Sequence, residues 1–96
     1  MNIEDVLSSK RRIKILRLLT EVRELNVSAI ASRLSANYED TKRHLRILED
    51  EGFLKRKTFG KASFYRFSEQ SQKATLIRSL IVAWDKEKQM QAEAVS

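Results

Sequence analysis

Most of the charged side chains of this sequence, which could bind a ligand of opposite charge, are cations. Of its 96 residues, 19 are Lys or Arg and 13 are Asp or Glu, which gives a formal net charge of +6. The stretch from Phe53 to Phe67 contains no acid, and a surface of that kind attracts polyanions such as nucleic acid. A basic face that is merely solvated has the same composition, so charge alone leaves both interpretations open. The basic residues of this stretch are Lys55, Arg56, Lys57, Lys61 and Arg66.

The excess of positive charge belongs to one part of the chain. Residues 1–68 carry 15 basic and 9 acidic side chains, whereas residues 69–96 carry 4 of each. A polyanion would therefore be attracted by the first two thirds of the sequence and not by the last third.

The side chains needed for catalysis or metal binding are scarce. His44 is the single histidine and cysteine is absent, which excludes disulfides, thiolate metal sites and a cysteine nucleophile. The sequence contains no Gly-rich phosphate loop and no nucleophile elbow. We therefore expect neither an enzyme nor a bound metal or other cofactor.

Hydrophobic patterning argues against a membrane location. The apolar cluster from Ile13 to Leu19 contains Lys14 and Arg17, so it is neither a secretory signal nor a membrane span. The expected location is the cytoplasm, in association with the nucleoid if the polyanion is DNA.

The clearest element that positions these cations is a helix from Asn37 to Gly52. Asn37 is a favourable N-cap, Asp40 suits the positive first turn, and Gly52 is a typical C-terminal stop. At about 100° per residue, one face of the helix is apolar and the opposite face is charged. The inward residues are Thr41, Leu45 and Leu48, and the outward residues are Glu39, Arg43, Arg46 and Asp50, flanked by Lys42.

The single histidine also lies on this helix. His44 is about a quarter-turn from Leu45, so it can border the core or donate a hydrogen bond to a phosphate. Packing is the preferred interpretation.

Two shorter segments lead into the charged helix. Apolar residues at spacings of three and four predict a core helix between Ile3 and Val22, which Ser8 can interrupt. The segment Glu24 to Val27 reads as an extended link, and Ser28 to Leu34 reads as a brief helix. Because Ser35-Ala36 joins that helix tightly to the charged one, the pair forms a helix-turn-helix.

Downstream, two aromatic-rich segments predict a β-hairpin with a basic tip. They run from Phe53 to Phe59 and from Ser63 to Phe67, and Gly60-Lys61-Ala62 separates them. Alternation along the second strand puts Tyr65 toward the core and Arg66 on the other face.

From Glu69 to Ala92 the sequence predicts one long helix. Its apolar stripe is too broad for a single covering surface. We expect one side to pack on the first helix and the other side to pair with the same helix of a second protomer. The predicted interface residues are Leu76, Ile77, Leu80, Ile81 and Trp84.

These elements predict a mainly α fold with a small β-hairpin and a long C-terminal dimerisation helix. Residues 1–68 would form a nucleic-acid-binding domain and residues 69–96 the dimerisation helix, within one compact unit.

Two motifs resemble those of a known family. They are LSANYEDTKRHLRILEDEGFLKRK, which contains R-H-L-x-x-L-E-x-x-G-F-L from Arg43 to Leu54, and GKASFYRFS. Both motifs resemble the corresponding segments of winged helix-turn-helix regulators of the ArsR type. The resemblance covers about residues 8–68. It implies that the Asn37–Gly52 helix enters the DNA major groove and that the hairpin, or wing, lies along the adjacent backbone or minor groove.

Carried over by position, the resemblance assigns roles to individual side chains. Arg43 can pair with guanine through two hydrogen bonds, and Tyr38 can contact a base edge, a thymine methyl group or a phosphate. Glu39 can accept from a cytosine amino group or repel misplaced backbone. The side chains expected at phosphates, which dominate affinity, are Lys42, Arg46, Lys61 and Arg66, and Lys55 and Lys57 complete the basic wing.

The sequence departs from the metal-sensing members of that family. They carry Leu-Cys-Val-Cys-Asp-Leu, whereas this chain has Leu25-Asn26-Val27-Ser28-Ala29-Ile30 at the corresponding place. The histidines of the family's second metal site, on the last helix, are also missing. We therefore expect no metal response.

The leading hypothesis is a homodimeric regulator that binds specific sites on double-stranded DNA. One alternative is a winged-helix interaction module whose basic face binds an acidic protein, which predicts heparin retention without duplex affinity at about 0.15 M salt. Another is a sequence-indifferent chromatin-architectural protein, which predicts a steep salt dependence with little discrimination between sites.

Overall fold

Over residues 1–95, the part of the chain that the computed structural model describes, five helices and three strands follow one another. Ser96, the end of the predicted dimerisation helix, lies outside the described residues. The elements confirm the predicted fold class, a mainly α winged helix-turn-helix with a long C-terminal helix. They are α1 (Ile3–Leu7), α2 (Lys10–Glu21), β1 (Leu25–Asn26), α3 (Val27–Arg33), α4 (Tyr38–Asp50), β2 (Leu54–Phe59), β3 (Ala62–Phe67) and α5 (Gln72–Val95).

The boundaries of α4 follow from its capping residues. The Asn37 side chain accepts a hydrogen bond from the Asp40 amide at 3.1 Å, which satisfies a free donor of the first turn. Gly52 adopts φ +82°, a conformation that favours glycine. The next amide, that of Phe53, donates back to the Leu48 carbonyl at 2.9 Å. Helix α4 therefore lies between the predicted N-cap, Asn37, and the predicted stop, Gly52, and its last helical residue is Asp50.

The segment predicted as an extended link contains a short strand. β1 pairs antiparallel with β3, with Leu25 opposite Tyr65 and Asn26 opposite Phe64, and the sheet order is β1-β3-β2. A strand of two residues shows no alternation in a sequence, so only its partner reveals it. Because β1 leads directly into α3, this pairing fixes the wing relative to the helix-turn-helix.

The hydrophobic core lies between the helices and the inner face of the sheet. Tyr65 and Phe67 of β3 are buried, as predicted for that face of the hairpin. Fully burying one Val, Leu, Ile or Phe side chain stabilises a protein by roughly 1.5–3 kcal/mol. Helices α2, α3 and α4 are therefore held together mainly by contacts between their buried apolar side chains. The largest fully enclosed hydrophobic side chains are Val6, Ile15, Leu16, Leu19, Ile30, Leu45 and Leu48.

Helix α5 packs on α2. Ala74 and Ile81 face the core, and the Arg17 guanidinium donates to the Asp85 carboxylate at 3.1 Å. The opposite side of α5 remains exposed. Neither α5 nor any other described helix is long and apolar enough to cross a membrane.

Candidate nucleic-acid interface

Helix α4 presents a polar surface because its apolar side belongs to the core. Thr41, Leu45 and Leu48 are fully enclosed, and the Thr41 hydroxyl donates to the Asn37 carbonyl at 2.8 Å. The predicted separation of a core face from an outward face is therefore confirmed. The predicted DNA-contacting residues of this helix are all exposed: Tyr38, Glu39, Lys42, Arg43 and Arg46.

An open cleft of about 360 Å³ separates α4 from the wing. Of the predicted DNA-contacting residues, Tyr38, Lys42 and Arg46 line it from α4, and Lys61 lines it from the wing tip. The cleft thus brings Lys42 and Arg46 together with Lys61, which is 15 or more residues away from each of them in sequence. It is also lined by residues outside the predicted set, namely Asn26, Val27, Ser28, Arg56, Ala62, Ser63 and Tyr65.

Three cations of this cleft have no partner in the described part of the chain. Over residues 1–95, Lys42, Arg46 and Lys61 form no ion pair and no side-chain hydrogen bond. Glu49 of α4 is paired with Arg56 at 3.3 Å instead. Unpaired like charges repel one another, and an anionic ligand would relieve that repulsion.

Arg43 and Glu39 lie on α4 outside the cleft lining. The Arg43 guanidinium donates a hydrogen bond to Asp40, and this bond is the main reason why the pKa of the Asp40 carboxyl lies below its usual value. A guanidinium has five N–H donors, so Arg43 can keep this bond and still offer a fork to a base.

The two faces of the wing have different surroundings. Because side chains alternate along a strand, Arg56 points toward α4, whereas Lys55 and Lys57 lie on the opposite face. Arg66, which pairs with Lys55 across the hairpin, shares that opposite face and lines a separate open cavity of about 470 Å³. The Lys57 ammonium lies 4.9 Å over the Phe59 ring. The structure therefore does not bring Lys55, Lys57 and Arg66 together with the cleft.

Arg56 is the clearest cleft residue that the prediction left out. The available signal was strand alternation, since every second residue after the buried Leu54 shares its face. Tyr65 carried another signal, because it lies opposite Arg56 in the hairpin register. Burial raises the pKa of the Tyr65 hydroxyl, which stays protonated at neutral pH. Ser28 gave no local signal and reaches the cleft only through folding.

A second surface, the α1/α5 groove, differs from the cleft in chemistry. It has a volume of about 340 Å³, and Glu51 and Lys73 are the charged residues among those that line it. Its apolar wall consists of Met1, Ile3, Val6, Leu7, Phe53, Leu76, Ile77 and Leu80.

The predicted interface residues of α5 occupy two different faces. Leu76, Leu80 and Trp84 follow one another at intervals of four and are 60%, 55% and 63% exposed. Ile81 is 6% exposed and packs in the core of its own protomer, and the half-buried Ile77 packs against that core while it also borders the groove. The spacing of these residues in the sequence places all of them in one apolar stripe. It does not distinguish the side chains that pack on their own protomer from those that remain exposed.

The described part of the chain contains no cluster of three or more His, Asp or Glu side chains that could hold a metal ion. His44 Nδ1 lies 3.1 Å from an Arg12 guanidinium nitrogen, and its Nε2 lies 3.6 Å from an Asp40 oxygen.

Comparison with known proteins shows the family. The family model of bacterial regulatory proteins of the ArsR family matches residues 9–56. The chain belongs to the ArsR family. A further relative is the uncharacterized HTH-type transcriptional regulator B-115 of Sulfolobus spindle-shape virus 1, which is 30% identical over 78 residues, 81% of this chain and 68% of that protein. Because the ArsR family consists of regulatory proteins, the prediction that the chain is not an enzyme is confirmed.

Solved structures share the fold of this ArsR-family protein. A homodimeric winged helix-turn-helix DNA-binding domain from Mycobacterium bovis is 25% identical, with a TM-score of 0.70 over 86% of this chain and 74% of that one. The transcriptional repressor BigR from Xylella fastidiosa is 22% identical, with a TM-score of 0.73 over 86% of this chain and 80% of that one. The second likeness concerns the fold alone.

Proposed function

We propose that this ArsR-family protein is a transcription regulator that binds specific double-stranded DNA sites as a homodimer, in the cytoplasm on the nucleoid. Helix α4 enters the major groove, and the wing lies on the adjacent backbone or minor groove. The observation that carries the proposal is the cleft between α4 and the wing, where Lys42, Arg46 and Lys61 converge without an acidic partner among the described residues.

The cleft is suited to a phosphate backbone more than to a compact anion. Its free cations come from two elements on opposite sides of an open cleft, so they can contact phosphates that are spaced along a strand. Phosphate contacts of this kind fix the position of the protein and dominate its affinity, but they carry no sequence information.

Sequence would be read by the exposed residues in the first half of α4. The residues at the start of a recognition helix are those that contact base edges in helix-turn-helix proteins. Tyr38, Glu39 and Arg43 occupy this position, and Arg43 is the first choice for a bidentate contact with guanine. Asp40 supports this role because it holds the Arg43 side chain.

The outer face of the wing would contribute less. Lys55, Lys57 and Arg66 lie away from α4, so in this proposal they contact flanking phosphates and add long-range attraction. Arg56 joins the predicted set because it lines the cleft.

We also propose that the α1/α5 groove is the dimer interface. Exposed apolar residues on two elements leave a surface that a second copy of the chain can cover. The homodimeric state of the similar Mycobacterium bovis domain supports this choice of occupant. Two copies related by a twofold axis would present their α4 helices to successive major grooves.

The test is a mobility-shift series at several salt concentrations with two variants. Arg43→Ala should weaken binding by about 1–3 kcal/mol and relax the sequence preference, because it removes a base contact. Lys61→Ala should weaken binding to all duplexes alike and lower the salt slope by roughly one, because it removes a phosphate contact. Lys14→Ala, on the exposed side of α2, is the control for a lost positive charge.

Equal losses on specific and random DNA for both variants would refute the division between reading and phosphate contacts. Retention on heparin without duplex affinity at about 0.15 M salt would instead support a module that binds an acidic protein. A steep salt slope without preference for any site would support the architectural role.

A further inference from the structure

Arg12 joins three helices through a single side chain. This residue of α2 is 7% exposed, and no carboxylate among the described residues pairs with it. Its Nε donates to the Val6 carbonyl and one of its terminal nitrogens donates to the Asp5 carbonyl, both at 2.8 Å, at the end of α1. The other terminal nitrogen lies 3.1 Å from Nδ1 of His44 on α4. One guanidinium therefore fixes the end of α1 and the middle of α4 together.

The contact with Arg12 determines the protonation state of His44. A guanidinium can only donate hydrogen bonds, so His44 Nδ1 must accept, and the ring is neutral with its proton on Nε2. That proton faces the Asp40 carboxylate, whose oxygen is 3.6 Å away. A second proton on Nδ1 would put an N–H group against an N–H group and a positive ring beside a buried positive charge.

The charged groups around His44 act in both directions on its pKa. Burial is the largest cause and lowers the pKa, and the positive charges of Arg12, Arg43 and Arg11 lower it further. Asp40, on the same helix, is the group that raises it. Arg11 and Arg12 belong to α2, whereas α1 faces the guanidinium with backbone carbonyls.

Helix α1 depends on contacts such as the one with Arg12. It has five residues, which is too short for a helix to be stable by itself in water. Its attachments are the buried Val6, the two hydrogen bonds from Arg12 and the ion pair between the terminal amine of Met1 and Glu51 at 3.0 Å. The residues of α1 that line the α1/α5 groove, such as Ile3 and Leu7, are therefore held in place partly by Arg12.

We propose that Arg12 is a positioning residue that couples dimer assembly to DNA binding through His44, and that protonation of His44 breaks this coupling. The proposal rests on the proposed function, since it assumes that α4 reads DNA and that α1 belongs to the dimer interface. A second protomer that packs on α1 stabilises the position of Arg12, which in turn holds His44 and α4. By linkage, if dimerisation raises the affinity for DNA by some factor, DNA binding must raise the affinity of one protomer for the other by the same factor.

The pH dependence of DNA binding separates this coupling from simple electrostatics. An additional positive charge on His44, next to the DNA-binding face, would by itself tighten binding to a polyanion. Loss of the Arg12 contact weakens binding instead, because α4 is then less well positioned. The two effects have opposite signs, so the direction of the change identifies which one governs.

The first experiment measures duplex affinity by fluorescence anisotropy in a series from about pH 7.5 to about pH 4.5, which extends well below the ordinary histidine pKa of about 6.5 because the pKa of His44 is lowered. The probe is a duplex selected from random DNA by the wild-type protein. Wild type should lose on the order of tenfold in affinity at the lowest pH. His44→Gln, whose side-chain carbonyl can accept from Arg12 but cannot be protonated, should bind like wild type at the highest pH and lose much less at the lowest pH.

Two variants of α2 complete the comparison. Arg12→Lys keeps the charge but cannot reach three acceptors, so it should bind weakly throughout the pH series. Lys14→Gln removes an exposed positive charge from the same helix and should retain the wild-type pH profile. The proposal is overturned if His44→Gln and wild type respond alike to pH, or if wild type binds more tightly at the lowest pH.

Sedimentation of the protein alone tests the dimer side without DNA. The dissociation constant of the wild-type dimer should rise as the pH falls far enough below the ordinary histidine pKa of about 6.5 for His44 to be protonated, and that of His44→Gln should change much less. This arm keeps its meaning if the protein binds no duplex, in which case the proposed function fails and the link between His44 and the dimer can still stand. A wild-type dimer that is insensitive to pH while its DNA affinity falls would refute the coupling.

A third measurement needs no variant. Since His44 is the single histidine, the imidazole ¹⁵N resonances of the untagged wild-type protein belong to it alone. At neutral pH they should report an unprotonated Nδ1 and a protonated Nε2. A proton on Nδ1, or equal populations of the two tautomers, would exclude the Arg12–His44 hydrogen bond and the proposal with it.

Discussion

The cleft and the α1/α5 groove are two open surfaces of one protomer that differ in chemistry. The cleft lacks negative charge to match its cations, and the groove lacks an apolar partner to cover its hydrophobic side chains. The cleft, at about 360 Å³, holds cations without a partner in the described part of the chain, whereas the groove, at about 340 Å³, exposes apolar side chains. Similar volume therefore says nothing about what each surface binds. The unpaired positive charge of the cleft predicts an anion, and the exposed apolar area of the groove predicts an apolar surface.

The distribution of acids explains how the two surfaces stay distinct. Glu49 pairs with Arg56 in the cleft and Asp40 pairs with Arg43 beside it, whereas the remaining cations of the cleft have no partner among the described residues. Glu51 pairs with the amine of Met1 and lies 3.9 Å from the Lys73 ammonium at the edge of the groove, so one carboxylate holds both cations where the apolar surface begins. Each surface thus keeps one type of chemistry.

The largest expected effect comes from placing charge in the groove. The double variant Leu76→Glu, Leu80→Glu should raise the dimer dissociation constant by a hundredfold or more, because burying carboxylates without partners costs several kcal/mol. Val82→Glu puts the same change at an exposed apolar residue of α5 outside the groove and should leave the dimer intact. Sedimentation at micromolar concentration measures both, and an unchanged dimer in the double variant would remove the groove from the interface.

A smaller effect should follow from removing charge from the cleft. Each hydrogen bond to a charged group is worth about 1.5 kcal/mol or more, so Lys42→Ala with Arg46→Ala should weaken duplex binding by roughly a hundredfold and lower the salt slope by about two. Its dimer dissociation constant should stay at the wild-type value. Dimer loss in this variant, measured without DNA, would mean that Lys42 or Arg46 contributes to the dimer contact.

The two faces of the wing provide a finer comparison within the basic surface. Arg56→Ala should weaken DNA binding by a few-fold, since Arg56 lines the cleft but is partly neutralised by Glu49, in an exposed ion pair worth at most about 1 kcal/mol. Lys55→Ala, on the opposite face, should have a smaller effect. Anisotropy titrations of the two variants at one salt concentration decide this, and a larger loss for Lys55→Ala would mean that the outer face of the wing approaches DNA.

The smallest expected effect concerns the acid that holds Arg43. The pKa of Asp40 is lowered mainly by its hydrogen bond with Arg43, so its stabilising contribution is present above the unfolded-state pKa of about 3.8 and is lost as the pH falls through the lower folded-state value. Asp40→Asn should abolish this small change. Thermal unfolding between neutral and acidic pH measures it, with Asp50→Asn as the control; identical acid profiles of wild type and Asp40→Asn would exclude a stabilising pair.

Local signals in the sequence explain how much of the fold was predictable. Asn37, Gly52 and the spacing of Thr41, Leu45 and Leu48 define α4 within the helix itself, so its limits and its buried face were predicted. The strand β1 was not, because two residues form a strand only through their partner β3.

The candidate site was predictable to the extent that it is local. The exposed residues of α4 were found from helical periodicity. Which residues line the cleft depends instead on how the wing packs against α4. This packing places Lys61, Arg56 and Ser28 in the cleft and Arg66 in a separate cavity. The broad stripe of α5 likewise hid the difference between the buried Ile81 and the exposed Leu80. The contact between Arg12 and His44 joins residues 32 positions apart and has no signal in the sequence.

Selection of bound fragments from a pool of random duplex DNA tests the central claim most directly. A homodimer that inserts two α4 helices into successive major grooves should enrich a palindrome whose half-site centres are about 10–10.5 base pairs apart, or a multiple of that distance. The Leu76→Glu, Leu80→Glu variant should enrich no such palindrome under the same conditions. If the wild-type protein returns a pool as random as the starting one, although it binds DNA, sequence-specific reading by α4 is contradicted.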